Sequence, residues 1–171
     1  MDVEPLTSSS QQRGIEQSPL VTVTHKCNVS VIHALHSPTL SSEANVARFT
    51  EEGTRLHGHE LGFELVFRGP VRRESGQIMG GDLFEEILGM AIVEVMNRKN
   101  LDLDIPFFSS RPSTIENICL FAWRNASVIL APHIFDLVEI SVETDACPRG
   151  RGKGVGRTRV SFNGNMIGVP A

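Results

Sequence analysis

Two runs of alternating side chains frame this chain. Leu20-Val21-Thr22-Val23-Thr24 is β-branched and alternating, and the run continues through Val29-Ser30-Val31-Ile32 to His33. His57 to Arg68 has the same character, with Phe63, Leu65 and Phe67 on one face of a strand. Because side chains alternate across a strand, each run presents one apolar face that has to be covered. The cover is readable further along. Asp82 is a helix N-cap candidate, and Leu83, Ile87, Ala91, Ile92 and Val95 follow at helical spacing. Ser113-Thr114-Ile115-Glu116 has the form of a capping box, and Ile115, Ile118, Cys119, Ala122, Ala126 and Ile129 mark a second helix. Val138, Ile140 and Val142 alternate as a later strand, and Arg157–Phe162 reads as a last one.

The segments between are less regular. A short helix is expected in Ser42–Thr50, a strand near Gly76–Met79, a polar stretch over Asn97–Asp104, and an extended loop from Ile105-Pro106-Phe107-Phe108. Residues 1–19 are rich in Ser, Gln and Pro and read as a disordered tail. The folded domain is expected over 20–163, with a Gly- and Arg-rich loop at 146–157 and a tail at 164–171. The order of two strands, two helices and two strands gives an α+β domain with a mostly antiparallel sheet.

Composition removes several function classes. With 40% hydrophobic and 21% charged residues a core can form. A formal charge of -4 and the absence of tyrosine speak against nucleic acid as a partner. No apolar run approaches the roughly 18 residues of a membrane helix, and the first residues lack the basic start and apolar core of a signal peptide. Cys27, Cys119 and Cys147 form no CxxC pair, which points to a reducing compartment, most simply the cytoplasm.

The sharpest chemical signal is His57-Gly58-His59. On a strand, positions i and i+2 share a face, so two imidazoles can converge on one ion. A third ligand must come from elsewhere, and His33 and His36 compete for that place. Three neutral imidazoles leave a tetrahedral zinc with one open position, the arrangement of a catalytic site. An HxH pair on a surface strand without metal is the plain alternative. His25 and His133 read as solvent-facing or core-edge residues.

With these residues in hand the chain resembles the 6-pyruvoyl-tetrahydropterin synthases and the related 6-carboxy-tetrahydropterin synthases. Val29-Ser30-Val31-Ile32-His33-Ala34-Leu35 is similar to that family's first zinc motif, which favours His33 over His36. Leu56-His57-Gly58-His59 resembles the second zinc motif. Lys99-Asn100-Leu101-Asp102, Ser113-Thr114-Ile115-Glu116-Asn117 and Val142-Glu143-Thr144-Asp145 follow in the family's order. The resemblance implies a T-fold of the tetrahydrobiopterin-biosynthesis type: a four-stranded antiparallel sheet with two helices on one face, assembled into an oligomeric barrel, commonly a hexamer. It also implies a zinc-dependent lyase acting on dihydroneopterin triphosphate or a related reduced pterin. Zinc would sit on His33, His57 and His59. The pterin ring would be held by Glu143 with help from Thr114 and Glu116, since a carboxylate accepts two parallel N–H bonds from an amino-pyrimidinone edge.

The pattern breaks at the base. Typical members carry a cysteine in the loop before HGH and an Asp-His pair after the first helix. This chain has Phe49-Thr50-Glu51-Glu52-Gly53-Thr54-Arg55-Leu56 in the loop and Asn97-Arg98 in the second place. Either Glu51 or Glu52 replaces the cysteine as base, with burial raising its pKa, or the site binds a pterin without catalysis or with a changed substrate. Arginine stays charged and cannot shuttle a proton; Arg98 would bind phosphate or pair with a loop glutamate. Arg149, Arg151, Lys153 and Arg157 stand among glycines in a loop that can wrap a polyphosphate or simply be solvated.

Overall fold

The computed structural model describes residues 18–133, 135–145 and 156–166. The expected N-terminal tail up to residue 17, the Gly/Arg-rich loop at 146–155 and residues 167–171 lie outside the described residues. The order is β1 (Leu20–His33), α1 (Ser42–Thr54), β2 (His57–Pro70), α2 (Gly81–Leu88), a π-helical turn (Gly89–Val93) and α3 (Glu94–Met96). Then come β3 (Lys99–Asn100), α4 (Leu101–Asp104), a 3-10 turn (Pro106–Ser110), α5 (Ile115–Leu130), β4 (Asp136–Asp145) and β5 (Arg157–Phe162). No helix among the described residues is long and apolar enough to cross a membrane.

The sheet runs β3-β1-β2-β4-β5. β1, β2, β4 and β5 pair antiparallel, as expected, but the sheet has five strands rather than four. The additional β3 lies parallel to β1 through Val31 and Ile32. β1 and β2 keep one register from Leu20 opposite Pro70 to His33 opposite His57. Alternation then puts Val29, Val31 and His33 on the same face as His57, His59, Leu61, Phe63, Leu65 and Phe67. Ile140, Val142 and Thr144 of β4 join that face through their partners Leu65, Phe63 and Leu61. Its apolar members are buried against Ile87, Ile92 and Met96 from the first helical stretch and Ile118, Ala122 and Ala126 from α5. Each fully buried Leu, Ile or Phe contributes roughly 1.5–3 kcal/mol, so this one face anchors the helices. The opposite face is polar: Glu64 pairs with Lys26 and Arg159, and Glu143 with Arg157.

Several local expectations are corrected. Gly76–Met79 is not a strand; it is a run of bends following the turn at 73–75, and Ile78 and Met79 instead plug the core at 3% and 2% exposure. The first long helix is capped at Gly80, not Asp82, which sits inside the first turn. Asn97–Asp104 contains β3 and α4, and Ile105 opens a 3-10 turn rather than an extended loop. The helix expected in Ser42–Thr50 runs on to Thr54 across a kink at Thr50, where φ is 68°. The Ser113–Glu116 capping box does not form. Thr114 is the N-cap of α5, its hydroxyl accepting from the Asn117 N–H, and this frees Ser113. Cys119 is core, as its place on the helix stripe implied, and His25 stacks on Phe84 at the core edge.

Candidate functional site

The unbroken β1–β2 register brings three histidines together at one end of the sheet. His33 closes β1, and His57 and His59 open β2 on the same face. Their potential ligand atoms all lie within 4.8 Å of one another. Ring centroids are 4.6 Å apart for His33 and His57, 5.3 Å for His33 and His59, and 5.0 Å for His57 and His59. His36, the competitor, is exposed and outside this cluster.

Each ring has its Nδ1 engaged. His33 Nδ1 is 2.9 Å from the Ser113 carbonyl oxygen and 3.0 Å from the Ser113 hydroxyl. His57 Nδ1 is 2.7 Å from the Arg55 carbonyl oxygen, and His59 Nδ1 is 3.2 Å from the Thr144 hydroxyl. Among the described residues no hydrogen bond engages Nε2 on any of the three, which leaves that nitrogen for a ligand. On His33, which is only 5% exposed, Nε2 is buried with no hydrogen-bond partner. An orphaned buried ring nitrogen facing two more imidazoles is costly unless something binds there. Burial, then the neighbouring His57 and His59, push the His33 imidazole down to about 4. Burial, then His57, lower His59 as well. Neutral imidazoles with engaged Nδ1 atoms are the form in which histidine ligates a metal, and a three-nitrogen set suits zinc.

The other expected site residues are dispersed. Glu51 and Glu52 lie on the last turns of α1, both exposed, and Glu51 pairs with Arg55. The expected pairing of Arg98 with a loop glutamate is therefore not formed; among the described residues Arg98 makes no ion pair. Its backbone holds φ at 60° and donates to the Ser30 carbonyl at 2.6 Å, while Asn97 Oδ1 accepts the Ser30 N–H at 3.0 Å. Asn97 and Arg98 thus fasten this stretch to the edge of β1. Thr114 caps α5 directly after Ser113, and Glu116 is exposed on its first turn. Glu143 pairs with Gly62 across the sheet and so lies on the face opposite His59. It is ion-paired to Arg157 at 2.9 Å and lines a groove of about 280 Å³ with Asn28, Glu60, Gly62 and Thr144.

The contacts of Ser113 with His33 and of Thr144 with His59 have no signature in the sequence. Thr144 falls inside a motif match, but a tertiary hydrogen bond to a distant histidine leaves no periodic signal. Ser113 was hidden by its resemblance to a capping serine.

The family described as 6-pyruvoyl tetrahydropterin synthase matches residues 22–147. A 6-pyruvoyl tetrahydrobiopterin synthase of Drosophila melanogaster is 33% identical over 112 residues, covering 65% of this chain and 67% of the relative. The Homo sapiens protein of that name is 29% identical over 124 residues, covering 72% and 85%. The solved structure of the Caenorhabditis elegans 6-pyruvoyl tetrahydropterin synthase superposes with a TM-score of 0.73 at 22% identity, covering 88% of this chain and all of that one, and shares the fold. The family match spans the strands that carry the three histidines, and the chain belongs to the 6-pyruvoyl tetrahydropterin synthase family.

Proposed function

We propose that the protein is a zinc-dependent carbon–oxygen lyase acting on dihydroneopterin triphosphate or a related reduced pterin. The observation that carries this reading is the cluster of three imidazoles with every Nδ1 engaged and a buried, unpartnered His33 Nε2. His33, His57 and His59 would hold the ion. Zinc bound there would stabilise negative charge developing on a substrate oxygen. Glu51 or Glu52 would take the proton from the carbon beside that oxygen. A carboxylate does this at neutral pH when desolvation raises its pKa. Both stand exposed on this chain, so substrate or a neighbouring copy would supply the cover. Glu143, with Thr114 and Glu116, would anchor the ring. It would have to exchange Arg157 for the ligand, and an oligomer, a hexamer by family resemblance, would bring residues of opposite sheet faces to one site. A cytoplasmic setting fits the cysteine usage.

A second reading is a pterin-binding protein with the metal site and no lyase chemistry. It is favoured by the exposure of Glu51 and Glu52 and by Asn97-Arg98, which fasten the chain to β1 and offer no proton shuttle. Zinc-loaded protein incubated with dihydroneopterin triphosphate separates the two. Pterin products that disappear in the E51Q/E52Q double variant are expected for the lyase. No turnover in the wild type sinks it, and ligand binding indifferent to both changes supports the second reading.

A further inference from the structure

Behind His33 lies a relay that the proposed chemistry does not use. Asp102, on α4, grips two groups with its two oxygens. Oδ2 accepts the Ala34 N–H at 2.7 Å, the residue directly after His33, and Oδ1 accepts the Ser113 hydroxyl at 2.7 Å. Ser113 is fully buried, and its Oγ and carbonyl oxygen both lie against His33 Nδ1. A carboxylate only accepts, so the single hydroxyl proton of Ser113 is committed to Asp102. Ser113 then shows His33 a lone pair from Oγ and another from the carbonyl, with no proton to offer. Both contacts are satisfied only if His33 Nδ1 carries the ring proton, which leaves the lone pair on Nε2, the atom facing the other two histidines.

We propose that Asp102, by drawing the Ser113 hydroxyl proton away from His33, is a positioning residue that preserves the Nδ1–H tautomer favoured by the Ser113 carbonyl and so presents Nε2 to a metal. The metal part of this statement rests on the zinc reading above; the tautomer part stands on the hydrogen bonds alone. Replacing Asp102 by Asn breaks the logic at one atom. The amide has one acceptor for two donors. With its oxygen kept on the Ala34 N–H, its NH2 faces Ser113 Oγ. The hydroxyl then turns its proton towards His33 Nδ1, favouring the tautomer with the proton on Nε2, which cannot ligate. Outer partners of metal-ligating histidines commonly change metal affinity 10–100-fold.

The experiment uses full-length wild type, D102N, S113A and D102N/S113A. Ring 15N spectra of the metal-stripped proteins at neutral pH report the His33 tautomer, and competition with a chromophoric chelator reports Zn2+ affinity. Wild type should carry the proton on Nδ1. D102N should move it towards Nε2 and weaken Zn2+ binding by about 10–100-fold. S113A should keep Nδ1–H through the remaining carbonyl. The double variant should match S113A in both readouts, because no hydroxyl is left to reverse. The relay is overturned if wild type carries the proton on Nε2, if D102N changes neither readout, or if D102N weakens binding as much in the S113A background, which would reduce Asp102 to a clamp on Ala34. Wild type with the expected tautomer but no Zn2+ uptake would instead overturn the metal reading.

Discussion

At the level of single residues, Gly58 and Gly69, near the two ends of β2, behave oppositely. Gly58 sits between the paired histidines, yet a Cβ there would meet the Val31 carbonyl oxygen at 3.5 Å and Ile32 Cγ2 at 3.6 Å, which is ordinary contact. Its φ is not in the positive region. A Cβ on Gly69 would instead come 2.8 Å from Phe135 Cβ, which something would have to move to accommodate. G58A is therefore expected to stabilise the chain by about 0.4–1 kcal/mol by restricting the unfolded state, with metal uptake unchanged. G69A is expected to cost about 1–3 kcal/mol through overpacking. Urea unfolding of the two variants checks both, and a destabilised G58A would show that the space beside the histidines is needed for something else.

At the level of elements, α5 separates capping from ligand binding. Thr114 makes the cap hydrogen bond, while Glu116 is exposed and not part of it. T114A should cost about 1 kcal/mol, whereas E116Q should leave unfolding nearly unchanged; a loss of pterin binding in E116Q then belongs to the ligand. Across the sheet, Arg159 and then Lys26 hydrogen-bond to Glu64 and hold its carboxyl down to about 2. A carboxyl lowered on folding binds fewer protons in the folded chain. Its stabilisation is thus complete above its ordinary value of 4.5 and is lost as pH falls towards 2. Because these side chains are partly exposed and screened by salt, the network is worth no more than about 1 kcal/mol. E64Q should flatten the acid limb of a stability–pH curve between those values, and 1 M salt (about a 3 Å screening length) should shrink the difference. The elements that were legible in sequence, β1, β2 and α5, carry many repeats of one period. β3 and α4, of two and four residues, are too short for any period to show. Ile78 and Met79 were apolar enough to resemble a strand, but they are buried as a plug. The His57–His59 pair was legible because a strand repeat of two puts both on one face, whereas His33 was set above His36 by the family resemblance and joins the pair through the β1–β2 register. Its outer partners were not, because Ser113 and Asp102 are 80 and 69 positions from His33 and reach it only after folding.

At the level of the whole molecule, the histidine cluster ties together elements that local preference alone would leave loose. His33 and His57 close the β1–β2 pair, His59 reaches Thr144 of β4, and Ser113 and Asp102 bring in the start of α5 and the short α4. An unfolded chain cannot assemble that set, so a metal held by it binds the folded state more tightly than the unfolded one and stabilises it by mass action. At a free Zn2+ concentration of 100 Kd the gain is about 2.7 kcal/mol. Thermal unfolding of zinc-loaded full-length protein should accordingly shift to lower temperature on adding chelator and recover on restoring zinc. The H57A/H59A double variant should show neither response, because one imidazole is left where three converge. Unfolding that ignores zinc in the wild type would mean that the orphaned His33 nitrogen is satisfied by something other than a metal, and the lyase proposal would fall with it.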